Sequence, residues 1–198
     1  MPRVSRSEAE ANRVRVVSTA SKMYREGGIE RVSVSEVMTA AGMTVGAFHA
    51  QFGSKDTLAV EACSHAFAEL EHACMQNIRN GGVDPKVLMQ FVRNYLSVQH
   101  RDNPGAGCPA AALSYDVMHE PAESPLRQAF LSGIKQFSTI LGSLMPIDFS
   151  KKKRRQRALA LYATFVGAIT IARATDQDPI SDEMLVAAIG AAKALCSI

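Results

Sequence analysis

Tryptophan is absent from the 198 residues, and aromatic side chains make up only 6% of them. A core built from this chain must rely on aliphatic and small side chains, with a few phenylalanines as anchors. The four cysteines, at 63, 74, 108 and 196, form no C-x-x-C pair, which removes the usual zinc and dithiol signatures. Cys63 and Cys74 fall on one expected helix, about 16 Å apart by helical rise and too distant for a disulfide. Reduced thiols and a cytoplasmic address are the expectation. A run of about 18 uncharged apolar residues is missing, so no membrane-spanning helix is implied. "MPRVSRSEAEANRVRVV" scatters charge where a signal peptide would carry an apolar stretch.

Catalytic and cofactor signatures are equally thin. "GAGCPA" at 105–110 matches G-x-G-x-x-A, but no strand precedes it and Pro109 removes an amide that a pyrophosphate would need. "ELEH" at 69–72 is a single Glu-x-x-His, whereas di-iron helical bundles use two copies with further glutamates. His65, Glu69 and His72 share a helical face and read as a solvated surface rather than a metal site. No serine or cysteine has a neighbouring histidine and acid that would mark a triad. No catalytic residue, metal or cofactor is expected, and the chain is not read as an enzyme.

What is present is helical periodicity throughout, without convincing alternation. Expected helices run from about Ser7 to Glu26, from a capping box at Ser33 and Glu36 to Gly42, and from Thr44 to about Gln51. A long one follows from Ser54 to about Asn80, closed by Gly81 and Gly82. Others lie near Pro85–His100, Pro109–Met118, Ser124–Leu144, Lys151–Thr175 and Ser181–Cys196, separated by proline-bearing connections. The fold class is all-α: three small helices, then six mostly long ones.

The formal charge of +3 is not spread evenly. Residues 1–55 carry eight Lys and Arg against five Glu, and the remainder is balanced. That asymmetry points to a polyanionic partner near the N-terminus. Within the same stretch, "VSVSEVMTA", "AGM" and "TVGAFHAQF" make a short helix, a glycine turn and a second short helix, which is a helix-turn-helix pattern. Val34, Val37 and Phe48 are placed to pack on Val16, Val17, Ala20 and Tyr24. That leaves Thr44, Val45, Ala47 and His49 outward, where such a helix meets base edges. Lys55, in the first turn of the next helix, opposes the helix dipole unless an anion lies nearby.

"EGGIERVSVSEVMTAAGMTVGAFHAQFGSKDTL" resembles the DNA-binding region of the TetR (tetracycline-repressor-like) family of bacterial regulators. The glycine after the first helix, the "AAG" turn, the aromatic pair and F-x-S-K-x-x-L carry the likeness. "GCPAAALSYDV" and "VGAITIARATDQDPISDEML" are similar to the ligand-binding half of one branch of that family. The resemblance implies a helix-turn-helix domain over 1–53 and a ligand-binding and dimerisation domain over 54–198. Carried over by position, Thr44, Val45 and Ala47 fall where the family reads bases. Ser33, His49, Gln51 and Lys55 fall where it grips phosphate. His49 stands where the family more often has tyrosine. Val45 and Ala47 bring no hydrogen-bonding group, so base reading leans on thymine methyls, Thr44 and DNA shape.

In the larger half, Leu161, Phe165 and Ile169 form one helical stripe and Met184, Ala188 and Ala192 another. The pattern fits either ordinary core or a dimer surface, and the resemblance implies the second. Phe67, Leu70, Phe91, Tyr95, Tyr115, Phe130, Ile134 and Phe137 are each compatible with core; together they suit an adaptable, partly apolar ligand site, which the family also implies. "KKKRRQR" at 151–157 reads as a solvated helix start. Pro109 at a first helical position makes Cys108 an N-cap beside this site. There its thiol would face unpaired amides with little cover from Gly105 and Gly107, as an accessible reactive group, or else simply pack.

The expected function is therefore a ligand-responsive regulator, a homodimer on an inverted-repeat DNA operator, released by a small molecule. The competing readings are an all-helical enzyme and an interaction bundle without sequence-specific DNA binding.

Overall fold

Polar caps set where the helices begin. In the computed structural model, which describes residues 5–81 and 85–197, Ser5 opens α1 (Arg6–Gly27) with a capping box to Glu8. Ser33 does the same for α2 (Val34–Ala40) through Glu36. Such reciprocal bonds satisfy amides that the first helical turn leaves unpaired. Ser54 accepts from the Thr57 amide at 3.1 Å where α4 (Lys55–Gly81) starts, three residues after α3 (Val45–Gln51) ends. The expected glycine closure of α4 includes Gly82, which lies outside the described residues.

Among the described residues all regular structure is helical, with ten α-helices and one 3-10 turn. The all-α expectation holds. The extra helix comes from a segment read as one: α5 (Pro85–Tyr95) stops, and Ser97 caps a separate short α6 (Val98–Asp102) by accepting from the His100 amide. A 3-10 turn at Pro104–Ala106 then leads to α7 (Pro109–Met118), α8 (Pro125–Ser143), α9 (Lys151–Ala174) and α10 (Pro179–Cys196).

Helix α4 is the spine. It packs against α1 on one side and α8 on the other; α8 packs on α9, and α9 most extensively on α10. One continuous apolar core results. Val16, Ala20, Tyr24, Val37, Met38, Phe48 and Leu58 are buried where α1 to α4 meet. Phe137, Leu141, Leu161, Phe165 and Ile169 are buried deeper in the helical body. There Phe91 sits with its ring centroid 6.1 Å from each of Tyr95, Phe137 and Phe165. Helix α9 is long and apolar enough by composition to cross a membrane, but its inner stripe is core between α8 and α10.

The α4–α8 contact depends on one glycine. A Cβ on Gly133 would lie 2.2 Å from Cγ of Phe67. That ring is 3% exposed and edge-on to Phe130 at 5.5 Å, so it has little room to retreat. Alanine would gain about 1 kcal/mol of helix propensity, but overpacking a filled core costs roughly 1–3 kcal/mol and more when the contact is this short. Gly133→Ala is expected to lower the melting temperature by roughly 2–8 °C. An unchanged or raised midpoint in a calorimetric scan would show that the helices can part.

Candidate nucleic-acid interface and the adjoining cavity

The α2–α3 turn is held by geometry that favours glycine. Gly42 has φ +70°, and Gly53, just past α3, has φ +73°. Both lie in the left-handed region that side chains with a Cβ rarely adopt. Between them Phe48 and Phe52 stack at 5.7 Å, facing the core and leaving the opposite face of α3 free. Thr44, Val45 and His49 are exposed on that face. Thr44 is the N-cap of α3 without a side-chain capping bond, so its hydroxyl is available to a partner. Ala47 departs from the expectation: it is half-buried and packs against the core. One turn of a seven-residue helix turns it inward.

The phosphate-facing set is less uniform. His49 is exposed and rests edge-on against Phe48 at 5.4 Å. Lys55 donates to the Glu30 carbonyl at 3.1 Å, which holds its ammonium beside the α1–α2 turn. The Ser33 hydroxyl is engaged in its capping box, accepting from the Glu36 amide and donating to the Glu36 carboxylate at 2.7 Å. Gln51 is half-buried with its Oε1 enclosed and unpartnered.

Sequence reading missed Arg13. From α1 it donates to the Gln51 carbonyl and to Glu61, and its guanidinium lies 4.5 Å over the Phe52 ring. It therefore clamps the end of α3 to α4. Arg25 is the second internal cation, with a side chain 3% exposed. It donates to Glu69 at 2.6 Å, to the Gly107 carbonyl at 2.9 Å and to both oxygens of Ser21. Neither interaction has a spacing signal in the sequence. Glu69 is thus committed to Arg25, and His65 lies 3.4 Å from its other oxygen.

Behind this module lies a cavity of about 430 Å³ between α4, α5, α6 and the 3-10 turn, lined in part by Leu70, Phe91, Tyr95, His100 and Cys108. Four of the expected ligand residues, Leu70, Phe91, Tyr95 and Cys108, do line one space. Phe67, Phe130 and Phe137 instead serve the α4–α8 core and the aromatic cluster, and Ile134 is half-buried against that core. Tyr115 is 73% exposed, on the outside of α7. Its helical phase sets it opposite Leu113 and Val117, which point inward.

Cys108 is the N-cap of α7, with Pro109 in the first turn, as the sequence suggests. The expected exposure is wrong: Cys108 is fully enclosed, its thiol makes no capping bond, and it lies 3.9 Å from Tyr162 Oη. The glycines beside it open no path because they are themselves covered, Gly105 by Glu26 and Lys22, Gly107 by His100 and Arg173. His100 is locked here. Its Nε2 accepts from the Cys108 amide at 2.9 Å, so its Nδ1 carries the proton and donates to the Tyr95 carbonyl at 2.6 Å. Burial, with Arg173 nearby, pushes its pKa down to about 4.

The stripes assigned to a dimer surface are corrected too. Leu161, Phe165, Ile169, Ala188 and Ala192 are buried inside the protomer, and Met184 is half-buried against the same core. The most apolar stripe of each helix is the one that the protomer itself uses. The opposite face of α9 and α10 exposes Leu159, Ala163, Thr170, Ile171, Val186, Ala187, Gly190 and Ala194.

Residues 16–62 match the sequence profile of bacterial regulatory proteins of the tetR family. The matched segment spans most of α1 and all of the turn, α2 and α3 just described. The match covers the helix-turn-helix segment and not the larger helical body. The fold of the whole chain is shared with solved structures at low sequence identity. A regulator from Cytophaga hutchinsonii is 17% identical, with 99% of this chain and 97% of that one aligned at a TM-score of 0.78. The reduced form of E. coli NemR is 19% identical, over 93% and 96% of the two chains, at 0.76. A TetR regulator from Legionella pneumophila is 16% identical, over 96% and 98%, at 0.75. No curated protein sequence matches the chain significantly.

Proposed function

We propose that the chain is a homodimeric repressor that binds an inverted-repeat operator and releases it when a small, partly apolar molecule enters the helical body. The observation that carries the reading is the exposed Thr44–Val45–His49 face on a helix fixed between two positive-φ glycines. In this division residues 1–53 form the DNA-binding domain, joined at the phosphates by Lys55 just past its boundary, and 54–198 bind the effector and the second subunit. Thr44 and Val45 read bases. His49, Lys55 and the start of α2 at Ser33 meet phosphates. Ala47 and Gln51 hold α3 in place.

The homodimer reading has its own support. Gly167 and Gly190 sit mid-helix in α9 and α10, and a Cβ on either would meet nothing within 4 Å. Each costs its helix about 1 kcal/mol relative to alanine. Nothing inside the protomer requires them, but a second copy whose helices approach closely on that face would. Two-fold association then sets two α3 helices against two half-sites.

The test is binding to an operator selected from random duplexes. Affinity should drop at least about hundredfold between 50 and 200 mM salt, because each phosphate contact releases counterions. Lys55→Ala should weaken all duplexes alike and reduce the salt slope by about one. Thr44→Ala should instead narrow the gap between the selected site and its single-base variants by roughly tenfold at one position. Salt-insensitive binding, or a Thr44→Ala protein with unaltered preference, would overturn the assignment of this face.

A further inference from the structure

Two spaces flank the wall formed by Leu70, Ala73, Ala106 and Gly107. The larger, about 730 Å³, opens between α1 and α4 and is lined with Lys22, Arg25, Glu26 and Glu69. Those charges pair among themselves, Lys22 with Glu26 and Arg25 with Glu69. None of the buried polar atoms left without a partner among the described residues lines this space.

The 430 Å³ cavity is chemically different. No Lys, Arg, Asp or Glu lines it. Asn94, Ser97, Gln99 and Asn103 also line it, but an ion seated against its inner wall of Leu70, Phe91 and Tyr95 would lose water without gaining a counter-ion, which is unfavourable. One polar group in its wall is incomplete. Tyr95 is 4% exposed, and its Oη is buried without a hydrogen-bond partner. The enclosed Cys108 thiol beside it is only a weak partner. The ring cannot swing to find a better one, because it stacks on Phe165 at 4.4 Å and meets the edge of His100 at 4.6 Å. His100 has no capacity left, since both ring nitrogens are bonded.

The missing partner has a definite sense. Burial pushes the Tyr95 hydroxyl well above the usual tyrosine range, so it keeps its proton. What lacks a partner is therefore a donor. A donor left in that state costs about 1–3 kcal/mol, and such groups in native proteins call for a specific explanation. The space beside it is of ligand size, within the roughly 300–1,000 Å³ of small-molecule sites.

We infer that this cavity takes an uncharged small molecule whose hydrogen-bond acceptor, a carbonyl or similar oxygen, seats on the Tyr95 hydroxyl. The apolar body of that molecule lies against Leu70 and Phe91. This assignment rests on the ligand-responsive reading above and narrows it to a chemical class.

Three single-ring probes of similar shape separate the terms: acetophenone (neutral, with an acceptor), ethylbenzene (neutral, without one) and benzoate (with acceptors, but charged). Binding to the full chain is measured by ligand-observed NMR titration, for wild type and Tyr95→Phe. Acetophenone is expected to bind at least about tenfold more tightly than either of the others, the size of one buried hydrogen bond. Tyr95→Phe should erase its advantage over ethylbenzene while leaving ethylbenzene binding intact. That variant only removes an unpaired hydroxyl, so its fold is retained. Benzoate binding as tightly as acetophenone, a preference that survives in Tyr95→Phe, or no binding by any probe would overturn the inference. Operator affinity measured with acetophenone present is a separate readout. If acetophenone binds as described and leaves operator affinity unchanged, the release reading fails and the cavity chemistry stands.

Discussion

Gly190→Leu is expected to leave the protomer folded while reducing operator affinity at least about hundredfold. The two halves of that outcome have different causes. Within the protomer a side chain at 190 points into open space, because a Cβ there meets nothing within 4 Å. Replacing a mid-helix glycine also recovers close to 1 kcal/mol of helix propensity. Helix content and the burial of Leu185, Ala188 and Ala192 on the inner side of α10 should be unaffected. In the proposed dimer the same side chain stands where small residues let two helices approach: Ala187, Ala191 and Ala194 of α10, with Ala163 and Gly167 of α9. A two-fold interface meets the intrusion twice. At roughly 1–3 kcal/mol per overpacked site, the dimer loses about one and a half to four orders of magnitude in stability. A monomer covers one half-site only. Sedimentation at nanomolar to micromolar concentration, run beside the DNA titration, checks both parts. A variant that remains a tight dimer would remove this face from the interface, and one that fails to fold would show that Gly190 has an internal role.

This surface illustrates what the sequence displays and what it conceals. The heptad-like recurrence of Leu161, Phe165 and Ile169 is plain in the sequence, but recurrence alone does not say which body covers the stripe. Helix α9 is apolar on much of its circumference, so its strongest stripe went to the protomer core and its smoother one to the surface. The caps, by contrast, were legible because they are local: Ser33 with Glu36, Ser54, and Pro109 after Cys108 act within one turn. The helix-turn-helix was legible for the same reason, its turn requiring a glycine and its anchors lying four residues apart at Phe48 and Phe52. The one local signal misread was Ser97, whose cap splits a segment that is apolar enough to pass as continuous. Charge counting in the first 55 residues overstated the free positive charge there. Arg13 and Arg25 are held internally by partners 38 to 82 positions away, such as Gln51, Glu61 and Gly107, and no spacing rule reaches that far.

Arg25 carries the second large effect. It is the point at which α1, packed on α2, is bonded to the cavity wall. Its guanidinium donates to the Gly107 carbonyl at 2.9 Å, and Gly107 lines the 430 Å³ space together with Cys108 and His100. From the other side of that wall, Arg173 of α9 donates to the carbonyls of His100 and Arg101, each at 3.0 Å. A molecule that displaces the Gly107 segment must therefore either strain the Arg25 bond or move α1. Helix α4 reaches the same wall at Leu70 and Ala73 but makes no part of the Arg25–Gly107 bond. Arg25→Ala strips a buried carbonyl of its donor and leaves the Ser21 hydroxyl without that partner, while Glu69, nearly half exposed, can return to water. The stability loss should be about 2–4 kcal/mol, below the full cost of orphaning a buried ion. In a chain of this size that is a drop in melting temperature of roughly 4–16 °C. The functional loss can be read without knowing the effector, because coupling between two sites is reciprocal. Operator DNA bound to the wild-type protein should alter amide hydrogen exchange across Gly105–Cys108, far from the contacts made by α3. In Arg25→Ala, below its melting point and saturated with the same DNA, that response should vanish, although exchange changes at α3 itself persist. The ties that remain, Arg13 to Glu61 and the Ile29 amide to Asp116 at 3.1 Å, keep the module attached, so a lost response cannot be ascribed to detachment. An exchange change at Gly105–Cys108 of the same size in both proteins would assign the coupling to α4 instead.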